Sequence, residues 1–196
     1  MNPEILTAVA LGIGLSASTG FRVFIPMLVA SVASHFNIIP TTESFAWLGS
    51  WTAMITFGVA TIVEVLAYYI PFVDNLLDTI TTPMAVGAGT LLMTSVLPVD
   101  NELMKWIMGF VVGGGAAATV QSGSVLSRLT SSKFTAGTAN PVVSTGENVA
   151  ALGTSVLALF VPVIMAILFI VIAIIIFYKL IEWRKHKKEK TGNSTL

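Results

Sequence analysis

The stretch LGIGLSASTGFRVFIPML, residues 11–28, decides how the chain is interpreted. It is apolar at both ends, but its middle carries a run of small and hydroxyl residues followed by Arg22 and Pro26. Ser, Thr and Gly offer the backbone alternatives to the helical hydrogen-bond ladder, so we predict a broken membrane helix here. A break exposes backbone N–H groups at the start of the next half-helix, and such groups favour anions.

Arg22 is the residue that gives this stretch a functional interpretation. A charge inside a membrane segment costs several kcal/mol and usually faces a partner or a water-filled cavity. A guanidinium group can hold a phosphate or carboxylate with two hydrogen bonds, so we predict a site for an anion. The predicted binding residues are Arg22, Ser16, Ser18, Thr19 and Gly20. The alternative is a structural ion pair between Arg22 and Glu64 or another buried acid.

The composition of the whole chain predicts an integral membrane protein. Of 196 residues, 55% are hydrophobic and 10% are charged, whereas soluble domains are about 25% charged. We therefore predict an all-α polytopic bundle. The chain has no cysteine, and His35 and His186 lie far apart in sequence, so we expect no metal and no cofactor. No nucleophile constellation or nucleotide-binding motif is present, which argues against an enzyme.

Six segments are apolar enough to be membrane helices of about 20 residues. They cover residues 5–32, 47–70, 76–97, 103–126, 142–161 and 162–183. We define residues 1–183 as the transmembrane domain and 184–196 as a basic tail. Basic residues favour the cytoplasm, so the tail is predicted to be cytoplasmic, and six crossings place the N-terminus there too. The short tail lacks interleaved aromatic residues, so no nucleic-acid partner is expected.

Two parts of the chain resemble each other weakly. Residues 79–98 align without gaps on 143–162, and residues 18–36 align more faintly on 116–134. This predicts repeats over 5–98 and 103–162 with an appended helix, 162–183. Six crossings would orient one aligned pair oppositely and the other alike, so either the similarity is compositional or one segment is re-entrant. The third and fifth segments, whose first halves are polar, are the predicted re-entrant ones.

Several acids and amides lie at or inside these segments. We predict that the acids couple transport to protons or sodium, and that the amides line the path. Solvated helix-start carboxylates are the alternative for the Asp74–Asp78 pair, and an ion pair or headgroup contact is the alternative for Glu64. The predicted coupling acids are Glu64, Asp74, Asp78 and Glu147, and the polar lining residues are Gln121, Asn140 and Asn148.

Three stretches carry a resemblance to a known family: residues 11–33, VDNLLDTITTPMAVGAGTLL (73–92) and SRLTSSKFTAGTANPVVSTGENVAALGTSVLALFVPV (127–163). They resemble a bacterial and plant membrane family catalogued as domain of unknown function 4126. The resemblance implies a small polytopic membrane protein in which these polar patches are family features. It implies no activity.

The leading hypothesis is a small transporter or flippase-like carrier for an anionic solute or lipid headgroup. The alternative is a non-transporting scaffold or assembly subunit whose small-residue faces pack against a partner. We expect a homodimer, because 196 residues are few to enclose a path. The expected location is the bacterial inner membrane, with both termini in the cytoplasm.

Overall fold

The structure is a computed structural model that describes residues 3–70, 73–135 and 138–192. The side chains of Asp74, Asn75, Phe177 and residues 179–192 are outside this description. Every regular element in the described residues is helical, so the all-α bundle is confirmed. The α-helices are α1 Pro3–Ser18, α2 Phe24–His35, α3 Trp51–Ala67, α4 Val73–Val96, α5 Glu102–Met108, α6 Gly115–Thr135, α7 Asn140–Phe160 and α8 Pro162–Gly192.

The predicted break in the first segment is present between α1 and α2. The chain leaves the helix after Ser18 and resumes at Phe24. Thr19 and Gly20 donate their backbone N–H groups to the carbonyls of Ser16 and Ala17, at 3.2 and 3.0 Å, which closes a tight turn. Pro26 lies in the first turn of α2, where the missing N–H costs no helical hydrogen bond.

The first segment does not cross the bundle but enters and leaves at the same end. α1 runs antiparallel to α4, since Gly12 lies against Met93 and the Thr19 hydroxyl lies 3.1 Å from the Ala85 carbonyl. After α2 the chain is back beside the end of α4, where Thr42 donates its N–H to the Ser95 carbonyl at 2.9 Å. Helices α1 and α2 therefore form a re-entrant hairpin, and the prediction of one crossing over 5–32 is wrong.

The third and fifth segments, predicted to be re-entrant, are instead the unbroken helices α4 and α7. Both contain stretches long and apolar enough to cross a membrane. Their polar residues are accommodated within the helix, and several hydroxyls donate to carbonyls four residues earlier. Thr82 donates to the Asp78 carbonyl at 2.7 Å, and Thr145 donates to the Pro141 carbonyl at 2.8 Å. Hydroxyl-rich sequence is therefore compatible with an unbroken helix, and the content of Ser and Thr alone does not predict which segment breaks.

Other spans also depart from a regular helix. A six-residue π-helical turn, Gly109–Gly114, joins α5 to α6, and together they form one apolar run, Glu102–Thr135. A 3₁₀ helix, Glu43–Gly49, precedes α3 with a 59° bend. Within the described residues three helices are long and apolar enough to cross a membrane, or four if the bent pair is one span.

The two ends of the described chain lie at opposite ends of the bundle. Pro3 lines a cavity together with Val96, at the C-terminal end of α4. Helix α8 runs antiparallel to α4, from Met165 beside Gly14 to Ile176 beside Gly123. It therefore runs toward the end of the bundle at which α4 begins. The prediction that both termini share one side therefore disagrees with this geometry, because it counted the hairpin as a crossing. The side chains of the basic tail 184–196 lie outside the described residues.

The direction of the helices bears on the predicted repeat. Helices α4 and α7 are both antiparallel to α1, as the 2.8 Å contact between the hydroxyls of Ser18 and Thr154 illustrates for α7. They are therefore parallel to each other. Helix α2 runs parallel to α4, and α6 runs antiparallel to it. No single symmetry operation relates both aligned pairs, so the repeat stays a sequence-level prediction.

Candidate functional site

Arg22 lies at the tip of the re-entrant hairpin and is 2% exposed. Its Nη1 donates to Glu147 Oε2 at 2.8 Å, and its Nε donates to Asn148 Oδ1 at 2.6 Å. Backbone carbonyls take two more donors: Nη2 lies 3.2 Å from the Ser144 oxygen, and Nη1 lies 3.1 Å from the Phe21 oxygen. The guanidinium group is therefore almost fully occupied by the protein's own acceptors.

Glu147 joins two buried guanidinium groups. Besides Arg22, it accepts from Arg128 through Nη2 and through Nε, the latter at 3.2 Å. The Ser124 hydroxyl donates to the same carboxylate. Glu147 is 6% exposed, so these donors replace the water that the carboxylate gives up. An acid predicted from the segment ANPVVSTGENVA is thus the central anion of the site.

Arg128 is a site residue that the sequence analysis missed. It lies just beyond the fourth predicted membrane segment, 103–126, but the structure places it on α6, where it is 2% exposed. Its Nη1 lies 3.6 Å from Asp78 Oδ1 and has no hydrogen-bond partner among the described residues. The available signal was its spacing from Gln121 and Ser124, since positions i, i+3 and i+7 share one helix face.

Tyr68, near the end of the predicted membrane segment 47–70, is the second site residue that the sequence analysis missed. The guanidinium carbons of Arg22 and Arg128 lie 3.9 and 4.0 Å from the centroid of its ring. Its hydroxyl contacts Asp78 Oδ1 at 3.2 Å and the Thr81 hydroxyl at 2.9 Å. The ring therefore stacks against both cations while its hydroxyl reaches the acid that faces Arg128.

We call these five residues, Arg22, Tyr68, Asp78, Arg128 and Glu147, the ion cluster. Two cations and two carboxylates balance when all four are ionised. Removing one partner of such a buried set leaves an uncompensated charge and costs about 3–5 kcal/mol. The cluster sits in the half of the bundle that contains the start of α4, because Asp78 is only about 8 Å of helical rise from Val73.

Glu64 caps the second half of the hairpin. Its carboxylate accepts the backbone N–H groups of Val23 and Phe24 at 2.8 and 3.0 Å, and it is 5% exposed. The anion-favouring N-terminus predicted from the break is therefore occupied by the protein's own carboxylate. A direct ion pair between Arg22 and Glu64 is not present; the buried acid that pairs with Arg22 is Glu147.

The hydroxyl and glycine residues predicted to bind an anion are buried and take part in internal contacts. Ser16 donates to the Gly89 carbonyl at 2.7 Å, and Ser18 lies 2.8 Å from the Gly14 carbonyl. Thr19 Oγ1 lies 2.6 Å from the Ser16 carbonyl. Gly20 lets the hairpin tip approach α6, because a side chain there would collide with the backbone at Ala117.

The predicted amides have separate surroundings. Gln121 lies 3.4 Å from the Thr81 hydroxyl, next to the ion cluster. Asn148 contacts Arg22 and belongs to the edge of the cluster. Asn140 pairs with Ser132 at 3.0 Å, closer to the loop. Asp74 lies on α4, but its side chain is outside the described residues.

An apolar groove adjoins the ion cluster. It has a volume of about 620 Å³ and runs between α3 and α4, with Phe24 of α2 at its side. Thr81 and Glu64 are its links to the polar interior, and Glu64 is the one ionisable residue among the described residues of its lining. The remaining lining residues are Ile55, Thr56, Val59, Ala60, Val63, Ala67, Leu77, Ile80 and Met84.

The chemistry available at this site is exchange of charged partners. Two guanidinium groups that hold one carboxylate can hold another anion of similar geometry once that carboxylate is neutralised. Among the described residues no group of three His, Asp or Glu side chains is placed to hold a metal ion.

Comparison with known proteins identifies a family. The model of the family described as domain of unknown function (DUF4126) matches residues 9–181. The chain therefore belongs to this family, as the resemblance of the three stretches indicated. No curated protein and no solved structure matches the chain.

Proposed function

We propose that the protein is a small membrane carrier for an anionic solute or lipid headgroup, coupled to protons through Glu147. The observation that carries the proposal is the placement of Glu147 between Arg22 and Arg128 at the tip of a re-entrant hairpin. A buried charge set at membrane depth is costly, and such sets mark substrate and ion pathways in membrane proteins.

The proposed mechanism is a competition between Glu147 and the transported anion. When Glu147 binds a proton, its negative charge is lost and the guanidinium groups of Arg22 and Arg128 are left with excess positive charge. An entering carboxylate or phosphate restores the balance by accepting the same donors. Release of the anion and the proton on the other side returns Glu147 to both arginines.

A proton fits this site better than sodium. The groups that face Glu147 are N–H and O–H donors from Arg22, Arg128 and Ser124. Donors stabilise a carboxylate but repel a metal cation, which needs oxygen acceptors.

The proposed location is the bacterial inner membrane, with the ion cluster in its cytoplasmic half. Arg128 and Lys133 lie toward the end of the bundle at which α4 begins, and α8 runs toward that end. The excess of basic residues at this end favours the cytoplasm. The N-terminus is then placed on the opposite side.

Uptake into proteoliposomes tests the proposal. The probes are labelled inorganic phosphate and labelled succinate, which remain charged and do not cross a protein-free bilayer, and the lumen is set either alkaline or acidic relative to the outside. We expect one probe to accumulate when the lumen is alkaline, because a proton enters with the anion. Glu147→Gln should make uptake insensitive to the gradient, and Arg128→Lys should lower uptake about tenfold, because lysine lacks the planar fork of donors.

The matched control is Lys105→Gln, which removes a buried cation outside the ion cluster. Lys105 is 5% exposed and pairs with Glu102 at 2.9 Å. Uptake by this variant should equal that of the wild type. If the folded wild type accumulates neither probe under any gradient and moves no labelled phosphatidylglycerol between the leaflets, the carrier proposal is overturned. That result would favour the scaffold hypothesis. Its candidate contact surface is the outer face of α7 around Gly146 and Gly153, where a Cβ atom would meet no neighbour within 4 Å.

A further inference from the structure

The groove between α3 and α4 has the form of a binding site for a chain-like molecule. Helix α3 packs mainly on α2 and meets α4 at few points, which leaves the groove open along one side. Its lining extends on α3 from Ile55 to Ala67, about 18 Å of helical rise. Its volume of about 620 Å³ is within the range of about 300–1,000 Å³ typical of small-molecule sites.

The two ends of the groove differ in chemistry. The part toward Ile55 and Met84 is aliphatic, apart from the Thr56 hydroxyl. Glu64 lies one turn before the C-terminal end of α3, near the end of the bundle where α4 begins. The groove thus presents a long apolar path with one carboxylate toward the end at which α4 begins.

We propose that this groove binds a single-chain amphiphile whose head is a protonated amine. The ammonium group contacts the Glu64 carboxylate, and the apolar chain lies between α3 and α4 toward Ile55. This inference does not rest on the carrier function, because it uses Glu64 and the groove rather than Glu147 and the arginines.

The hydrogen-bonding capacity of Glu64 permits such a contact. A carboxylate offers about four acceptor positions, and the N–H groups of Val23 and Phe24 use two of them. An ammonium group has three donors and no acceptor, so it can bind a remaining position without displacing the helix cap.

The charge of the groove selects an amine over other occupants. The cations of the ion cluster are paired with Glu147 and Asp78. The charged group in the described groove lining is the Glu64 carboxylate, which repels a fatty acid or a lipid phosphate. A helix from a second copy would bury Glu64 against apolar side chains and would leave its carboxylate without a further donor. An ammonium head supplies both the opposite charge and the donors.

Photolabelling of the full-length protein in nanodiscs tests the proposal. The probes are dodecylamine, dodecanol and dodecanoate, each with a diazirine at the end of the chain. We expect the amine to label peptides of α3 and α4 about tenfold more than the alcohol or the carboxylate, as a charge-assisted hydrogen bond implies. Glu64→Gln should remove this preference.

A second variant covers the case in which Glu64→Gln fails to fold. Ala60→Leu fills the groove without touching the carboxylate, and it should abolish labelling of α3 and α4 by the amine. Its matched control is Gly58→Leu, since a side chain at Gly58 begins in open space outside the groove lining; labelling should be unchanged. Equal labelling by all three probes, or cross-links to a second copy through α3, would overturn the proposal.

Discussion

At the scale of single residues, the ion cluster shows how a membrane protein keeps arginines at depth. Neither Arg22 nor Arg128 reaches the surface, because each is 2% exposed. Glu147 contacts both and, together with Asp78, balances their charge, while the ring of Tyr68 covers both guanidinium groups. Two carboxylates and an aromatic face thus stabilise the cations in place of water.

Substitution of Tyr68 separates the contribution of its ring from that of its hydroxyl. Tyr68→Phe keeps the stacking and loses the contacts with Asp78 and Thr81, whereas Tyr68→Leu loses both. Because each cation–π contact contributes about 0.5–2 kcal/mol, we expect the leucine variant to be about 2 kcal/mol less stable than the phenylalanine variant. Denaturant unfolding in mixed micelles measures the difference, and equal stabilities would show that the ring does not hold the arginines.

At the scale of helices, the close approach of the π-helical turn to α4 organises the bundle. Gly113, in the π-helical turn, lies against the Gly89 carbonyl of α4 and 3.0 Å from Ser16 Oγ, as measured from the position a Cβ atom would take. Small residues permit this approach, which is the usual basis of helix packing in membranes. The turn therefore fixes α4, α1 and α6 at one point of the core.

Gly113→Ala tests this packing. An added methyl group would collide with backbone that cannot move aside, so we expect a loss of about 1–3 kcal/mol in unfolding free energy. Gly115→Ala, two residues later, is the control, because no atom lies within 4 Å of the added carbon. It should keep or raise stability, since alanine favours a helix by up to about 1 kcal/mol. Similar losses in both variants would contradict the close-packing account.

At the scale of the whole molecule, the re-entrant hairpin sets the topology. Its two arms begin and end at the same end of the bundle as the last turn of α4. The remaining helices alternate in direction, so the start of α1 and the described end of α8 face opposite sides. The loops before α3 and before α5 share the side of the N-terminus.

Cysteine labelling checks this arrangement, and the absence of native cysteine makes each introduced thiol the only reactive one. Intact cells are treated with a membrane-impermeant maleimide. We expect Glu4→Cys and Asp100→Cys to react, because both lie at the same end of the bundle, and Lys133→Cys to react only after permeabilisation. The hairpin would be refuted as a re-entrant element if Glu4→Cys behaved like Lys133→Cys.

Composition and local pattern determined much of this protein. Too few side chains are charged to cover a water-exposed surface, which indicated a membrane protein. Apolar segments of about 20 residues indicated that it is all-α. The hydroxyl and glycine run at 16–20 predicted the break, and the isolated acids in apolar surroundings pointed to Glu64 and Glu147. These signals are local, since they depend on backbone propensity and on the cost of burying a charge.

The tertiary structure alone decided which segment is re-entrant and which charges meet. Similar hydroxyl-rich stretches in α4 and α7 remain helical, whereas the turn at Thr19–Val23 is held by Glu64 and by the distant partners of Arg22. Arg128 resembles a loop residue in the sequence, but α6 carries it to Glu147, 19 positions away. Pairing across the bundle leaves no local pattern, because its energy comes from contacts between different helices, including ones as distant in the chain as those of Arg22 and Glu147.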